Sequence, residues 1–148
     1  MKNFTTEPSP NKDVMVDNKK PESPDKKKTI MIVDDEEACR EIVQFYFEND
    51  YNIIPMSNGQ EAMEYLKNND IPDLIILDMQ MPNMNGRLFL HRIRKGDPKL
   101  RNIPIIFSSS VSSELFIKSV SSLAVTDYIV KPFKREEIDK KVNAILKQ

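Results

Sequence analysis

The sequence predicts an α/β fold, a doubly wound parallel sheet of five strands, on two observations. Residues 29–33 and 74–77 are short apolar runs without alternation, the pattern of strands buried on both faces by helices. Segments with helical apolar spacing alternate strictly with such runs, which implies right-handed crossovers and parallel strands. A chain of 148 residues suits one domain with a substantial core.

Residues 1–28 carry Pro8, Pro10, Pro21 and Pro24 with seven lysines and five acids, a local charge of +2. Their sparse hydrophobic residues cannot offset the entropy of ordering, so the stretch is expected to be a disordered tail. The domain is expected over 29–148, with a net charge of −3. A whole-chain charge of −1 implies no strong field toward nucleic acid or anionic membranes. Cys39 is the only cysteine, which excludes an intramolecular disulfide and suits a reducing compartment. No apolar run reaches the ~20 residues of a membrane span, and no signal-peptide block opens the chain. The expected location is cytoplasmic.

The first strand, 29–33, ends in Asp34-Asp35-Glu36-Glu37. A helix is expected over 36–48, its acids favoured by the positive end of the helix dipole. The second strand spans 51–55. Asn58 with Glu61 three residues on resembles a capping box, opening a helix to about 68 with Ala62, Met63 and Leu66 as its stripe. The third strand, 73–77, runs into Asp78, and Pro82 forbids ladder pairing beyond it. Gly86 starts a helix carrying Leu88, Phe89 and Ile93, which Gly96 and Pro98 end. The fourth strand covers 103–108, followed by a serine-rich loop and a helix over 113–123. The fifth strand is 127–130. The last helix shows Ile138, Val142, Ile145 and Leu146 at i, i+4, i+7 and i+8.

Four strands deliver chemically useful residues to one edge of the sheet, where open parallel sheets keep their ligands. These are Asp34 and Asp35, Asp78, Ser109 just past the fourth strand, and Lys131. Each alone reads more readily as a cap, a solvated lysine or a loop serine. Their convergence is not required by such readings. Two carboxylates about 4 Å apart repel by roughly 4 kcal/mol at an effective dielectric near 20, so three of them call for a cation. The side chains offer only oxygen donors, which suits a hard divalent ion, Mg²⁺ above all. A carboxylate beside such an ion, faced by an ammonium and a hydroxyl, can act as a nucleophile toward a phosphoryl group.

Val33-Asp34-Asp35-Glu36, Asp78-Met-Gln-Met-Pro-Asn-Met-Asn-Gly86, Pro104-Ile-Ile-Phe-Ser-Ser109 and Asp127-Tyr-Ile-Val-Lys-Pro-Phe133 resemble the receiver domains of bacterial response regulators in two-component signalling. The resemblance covers 29–148 and implies a flavodoxin-like sheet of strand order 2-1-3-4-5. It implies Asp78 as phospho-acceptor. Asp35 and Asp78 would bind Mg²⁺ directly, Gln80 through its backbone carbonyl, and Asp34 through water. Lys131 would hold a phosphoryl oxygen, with a cis bond to Pro132. Ser109, 22 residues before Lys131, matches the switch hydroxyl better than Ser108 or Ser110. Tyr128 matches the aromatic that follows it.

The implied function is a single-domain phosphorylation switch, acting on a target or as a relay passing phosphate onward, and not a turnover enzyme: it would catalyse only its own phosphorylation and dephosphorylation. The expected partners are a histidine kinase or histidine phosphotransfer protein and a downstream target protein. Contact would be made through the face of helix four, strand five and helix five, with no direct nucleic-acid or membrane role. A constitutive, phosphate-blind interaction module is disfavoured by the complete set Asp34, Asp35, Asp78, Ser109 and Lys131. An aspartyl phosphatase is disfavoured because position 80 is glutamine, where that chemistry wants a second acid. Ala124 stands where the family usually ends its fourth helix with glycine. The serines of that helix make it a poor intrinsic former and the expected mobile part. His91, Cys39, Met79, Met81 and Met84 are expected to serve packing or surface roles.

Overall fold

The computed structural model describes residues 26–147 except Ser113, Ser122 and Ala124. The expected tail up to residue 25 and the departure at Ala124 lie outside the described residues. In chain order the elements are β1 Thr29–Val33, α1 Glu37–Phe47, β2 Asn52–Met56, α2 Gly59–Asn68 and β3 Leu74–Asp78. There follow α3 Gly86–Lys95, a 3-10 turn Pro98–Leu100, β4 Ile105–Ser109, α4 Glu114–Ser121, β5 Asp127–Val130 and α5 Arg135–Leu146. All four strand pairings are parallel, and the sheet order is β2-β1-β3-β4-β5. The fold class and strand order are those expected.

The unbroken apolar strands follow from a sheet covered on both faces. Met31, Val33, Ile75, Leu77, Ile105 and Phe107 pack toward α2 and α3 with Ala62, Leu66, Phe89 and Ile93. Ile30, Ile32, Leu74, Ile76, Ile106 and Ile129 pack the opposite way, against Val43 and Phe47 of α1 and Ile138, Val142 and Leu146 of α5. Period-two alternation along each strand makes this partition. Pro55 fits within β2 because that strand lies at the sheet edge.

Several expectations need correction in detail. β3 ends at Asp78 and β4 at Ser109, so both residues belong to their strands and take a fixed facing from them. Leu88 is exposed, while Phe89, Leu90 and Ile93 are buried: the apolar stripe of α3 lies one residue further round. Met63 and Ile145 are half-buried flanks of their stripes. Asn58 accepts from the Glu61 N–H at 2.8 Å, as a capping box requires. The return arm from Glu61 accepts from the N–H of Ser57 at 2.7 Å, one residue earlier than expected. Neither α1 nor α5 carries a basic residue in its last turn. Lysines ahead of β1 supply those charges instead: Lys27 Nζ donates to the carbonyl of Glu48, and Lys28 Nζ to that of Leu146 at 3.0 Å.

Candidate functional site

The central strands β1 and β3 end side by side, with Val33 paired to Leu77. Asp34 and Asp78 therefore leave the sheet as neighbours. Each lies an even number of residues beyond Ile32 and Ile76, which face α1 and α5, so both carboxylates share that side. Lys131 follows Ile129 by two residues and belongs to the same side. Asp34, Asp35 and Asp78 each present an oxygen within 4.8 Å of the others. Lys131 Nζ lies 2.9 Å from Asp34 Oδ2 and 3.5 Å from Asp78 Oδ1. The Lys131–Pro132 peptide is cis, as the resemblance implied. A polar cleft of about 210 Å³ is lined by Asp35, Glu36, Asp78, Gln80, Ser110 and Lys131.

Burial, then the nearby Asp34 carboxylate, pushes Asp78 up to about 7, against the pull of Lys131 and the Gln80 N–H. For Lys131, burial works against the charge. Hydrogen bonds to Glu36 and Asp34 and the fields of Asp34 and Asp78 outweigh it, so the ammonium stays protonated well above the ordinary lysine range. Three carboxylates thus meet one ammonium, with Asp35 beside two of them, an excess of negative charge that a divalent cation would relieve. Asp34 is fully buried, and its Oδ2 is met by the Lys131 ammonium at 2.9 Å. The all-oxygen donor set of Asp34, Asp35 and Asp78 fits a hard cation or its bound water. Gln80 lines the cleft and donates its N–H to Asp78 Oδ1 at 3.2 Å. A second grouping, Asp34 with Glu36 and Cys39, mixes a soft sulfur with hard carboxylate oxygens and suits a hard cation less well. Burial and the field of Asp34 push the Cys39 thiol up to about 12.

Ser109 stands on the opposite side. It follows Phe107 by two residues, and Phe107 pairs with Tyr128, so Ser109 and Tyr128 share the face covered by α2, α3 and α4. The Ser109 hydroxyl accepts from the Val111 N–H at 3.0 Å, and Ser110, not Ser109, lines the cleft. The structure thus brings Asp34, Asp35, Asp78 and Lys131 together, with Ser109 beside them but turned to its own loop. Tyr128 is half-buried, with Lys141 Nζ 5.0 Å from its ring centroid and 3.1 Å from Asp127 Oδ1. His91 is exposed, Cys39 packs partly into the core, and Met79, Met81 and Met84 are buried fillers beneath the site loop.

Three features were missed in the sequence reading. Asn85 caps α3, accepting from the Leu88 N–H at 3.0 Å; an asparagine just before the helix was the available signal. Arg40 Nη1 donates to the Asp34 carbonyl at 2.7 Å, fixing the backbone under the carboxylate from α1. Glu36 Oε1 lies 2.8 Å from Lys131 Nζ, and nothing in the local pattern announced a contact 95 residues away. Gly86 has a physical reason that its helix-start role conceals. A Cβ there would meet the Asp78 carbonyl at 2.7 Å and Met79 Cα at 2.9 Å, both backbone. Gly86→Ala is expected to cost about 2–3 kcal/mol of folding stability by denaturant unfolding. A loss under ~0.5 kcal/mol would mean that the loop yields freely.

Residues 30–143 match the family described as the response regulator receiver domain. The chain belongs to that family, the receiver domains of two-component systems. Histidine kinase P4 of Formosa agariphila is 33% identical over 120 residues, 81% of this chain and 9% of that protein. The solved chemotaxis protein CheY4 of Vibrio cholerae is 25% identical with a TM-score of 0.72, over 82% of this chain and all of that one. The Mn(2+)-bound form of response regulator Rcp1 is 28% identical with a TM-score of 0.66, over 80% of this chain and 91% of that one. The chain spans less than half the length of the curated relatives it matches, which include transcriptional regulators and sensor kinases. Among the described residues no helix is long and apolar enough to cross a membrane.

Proposed function

We propose that this receiver domain is a phosphorylation switch whose acceptor is Asp78, charged by a histidine kinase or histidine phosphotransfer protein with Mg²⁺ bound. The observation that carries the reading is the meeting of Asp34, Asp35 and Asp78 within 4.8 Å beside the Lys131 ammonium. Asp34, Asp35, Asp78 and the Gln80 carbonyl would hold the ion. When bound, it would neutralise the carboxylates and the phosphoryl oxygens.

An Asp78 oxygen forms the new P–O bond as the donor's P–N bond breaks. The electron pair leaves on the imidazole nitrogen, which takes a proton from solvent. Lys131 holds a phosphoryl oxygen as charge shifts toward it. Nothing is turned over beyond the domain's own acyl phosphate, so the protein acts as a switch and not as an enzyme on an outside substrate.

Output passes through protein contact at the face of α4, β5 and α5. Ser109 and Tyr128 share one side of the sheet, so a Ser109 hydroxyl drawn to the phosphate vacates space along that face toward Tyr128. Leu115 of α4 is exposed and available to a downstream partner. Phosphate shifts this face only by stabilising one of two arrangements over the other. With phosphoramidate and Mg²⁺ the protein is expected to gain one phosphate by mass, and Asp78→Asn none. A variant that still gains it would refute the assignment.

A further inference from the structure

Glu36 stands at the N-cap of α1, where a side-chain oxygen can accept from the free N–H groups of the first turn. Its carboxylate makes no such bond. It reaches across to β5 instead, placing Oε1 2.8 Å from Lys131 Nζ. That contact is shorter than those to Asp34 at 2.9 Å and Asp78 at 3.5 Å. Cys39 Sγ, one turn along the helix, donates to the same oxygen at 3.4 Å and fixes the arm. The Glu36 side chain is 61% exposed while that of Lys131 is 11% exposed, so the carboxylate meets the ammonium from the solvent side of the cleft.

An ammonium has three donors, and this one faces three carboxylates. A phosphoryl oxygen arriving at Asp78 needs one of those directions. Asp34 is fully buried behind the ammonium, and Asp78 is the acceptor itself. Glu36 alone can give way cheaply, because its carboxylate returns to water. We propose that Glu36 is a positioning residue that occupies Lys131 in the place of a phosphoryl oxygen and so sets how readily the site takes up a phosphodonor. The inference deepens the reading of Asp78 as acceptor and rests on it. Displacing Glu36 is a toll on donor binding, and it leaves the transfer step on bound donor largely unchanged.

The test uses the full chain with Mg²⁺ and phosphoramidate, measuring initial rates of phosphate uptake over a range of donor concentrations. Glu36→Gln is expected to lower the half-saturating concentration roughly three- to five-fold, the scale of an exposed ion pair, with the maximal rate changed less than about two-fold. Glu36→Asp keeps the charge on a side chain one methylene shorter and is expected to follow Glu36→Gln. If Glu36→Asp instead behaves as wild type, the general negative field governs uptake and the proposal falls. An unchanged or raised half-saturating concentration in Glu36→Gln overturns it as well. The Lys131 ammonium resonance gives an independent readout. It should differ between wild type and Glu36→Gln in the free protein, and converge when beryllofluoride stands in for the phosphoryl group. Persistent difference in the beryllofluoride form would show that Glu36 is never displaced. Phosphate uptake by Asp78→Asn, or none by wild type, defeats the acceptor reading beneath. Normal wild-type uptake with an indifferent Glu36→Gln defeats this inference alone.

Discussion

Lys131→Met is expected to slow phosphate uptake from a small donor by on the order of 10²–10³, the loss typical of removing one preorganised cationic donor. It is also expected to destabilise the Mg²⁺-free protein by on the order of 3 kcal/mol near neutral pH, because a buried ion pair would lose one partner. Methionine preserves the apolar stem while deleting the charge that Asp34, Glu36 and Asp78 share. Asp34 Oδ2, fully buried and 2.9 Å from the ammonium, would then face no cation. Denaturant unfolding with and without Mg²⁺ separates the two effects: the ion should recover much of the stability and little of the rate. Normal uptake by a folded Lys131→Met protein would take the ammonium out of the phosphoryl site. Unchanged stability without the ion would mean that the carboxylates do not depend on it.

The parts of this architecture that sequence could give are those set by local pattern. Unbroken apolar strands announced burial on both faces, and Pro82 and Pro98 announced where elements stop. Asp34, Asp35, Asp78 and Lys131 were legible because parallel strands deliver their ends to one edge whatever the loops do. What escaped depends on facing and reach. Ser109 was placed at the right edge, but its strand carries it to the face of Tyr128, and Val111 holds its hydroxyl through an N–H two residues on. No spacing encodes that. Leu88 was misassigned because α3 carries three successive apolar residues, Leu88 to Leu90, and periodicity alone does not choose which one turns to solvent. Glu36 reads as one more acid at a helix start, and only the approach of β5 in space gives it a partner. The role of Gly86 was hidden likewise, since its constraint comes from the backbone of Asp78 and Met79.

Asp78→Asn is expected to stabilise the Mg²⁺-free protein increasingly as pH rises, even as it abolishes phosphate uptake. Burial and the Asp34 carboxylate raise Asp78 to about 7, against about 3.9 in an unfolded chain. Between those values the folded protein keeps a proton that the unfolded chain has released. Stability therefore falls as pH rises through that window, and the full penalty stands above pH 7. Each pKa step is worth about 1.4 kcal/mol, which sets a ceiling on the order of 4 kcal/mol. Asparagine keeps an acceptor for the Gln80 N–H and removes the charge beside Asp34. The variant's advantage in thermal unfolding should be near zero at pH 4, grow through neutrality and level off by about pH 8. Mg²⁺ should shrink it, since a cation bound by the folded state stabilises wild type by mass action and the variant lacks one of the carboxylates that hold it. A difference independent of pH would show that Asp78 does not carry the repulsion, and one untouched by Mg²⁺ would show that the acidic cluster does not bind the ion.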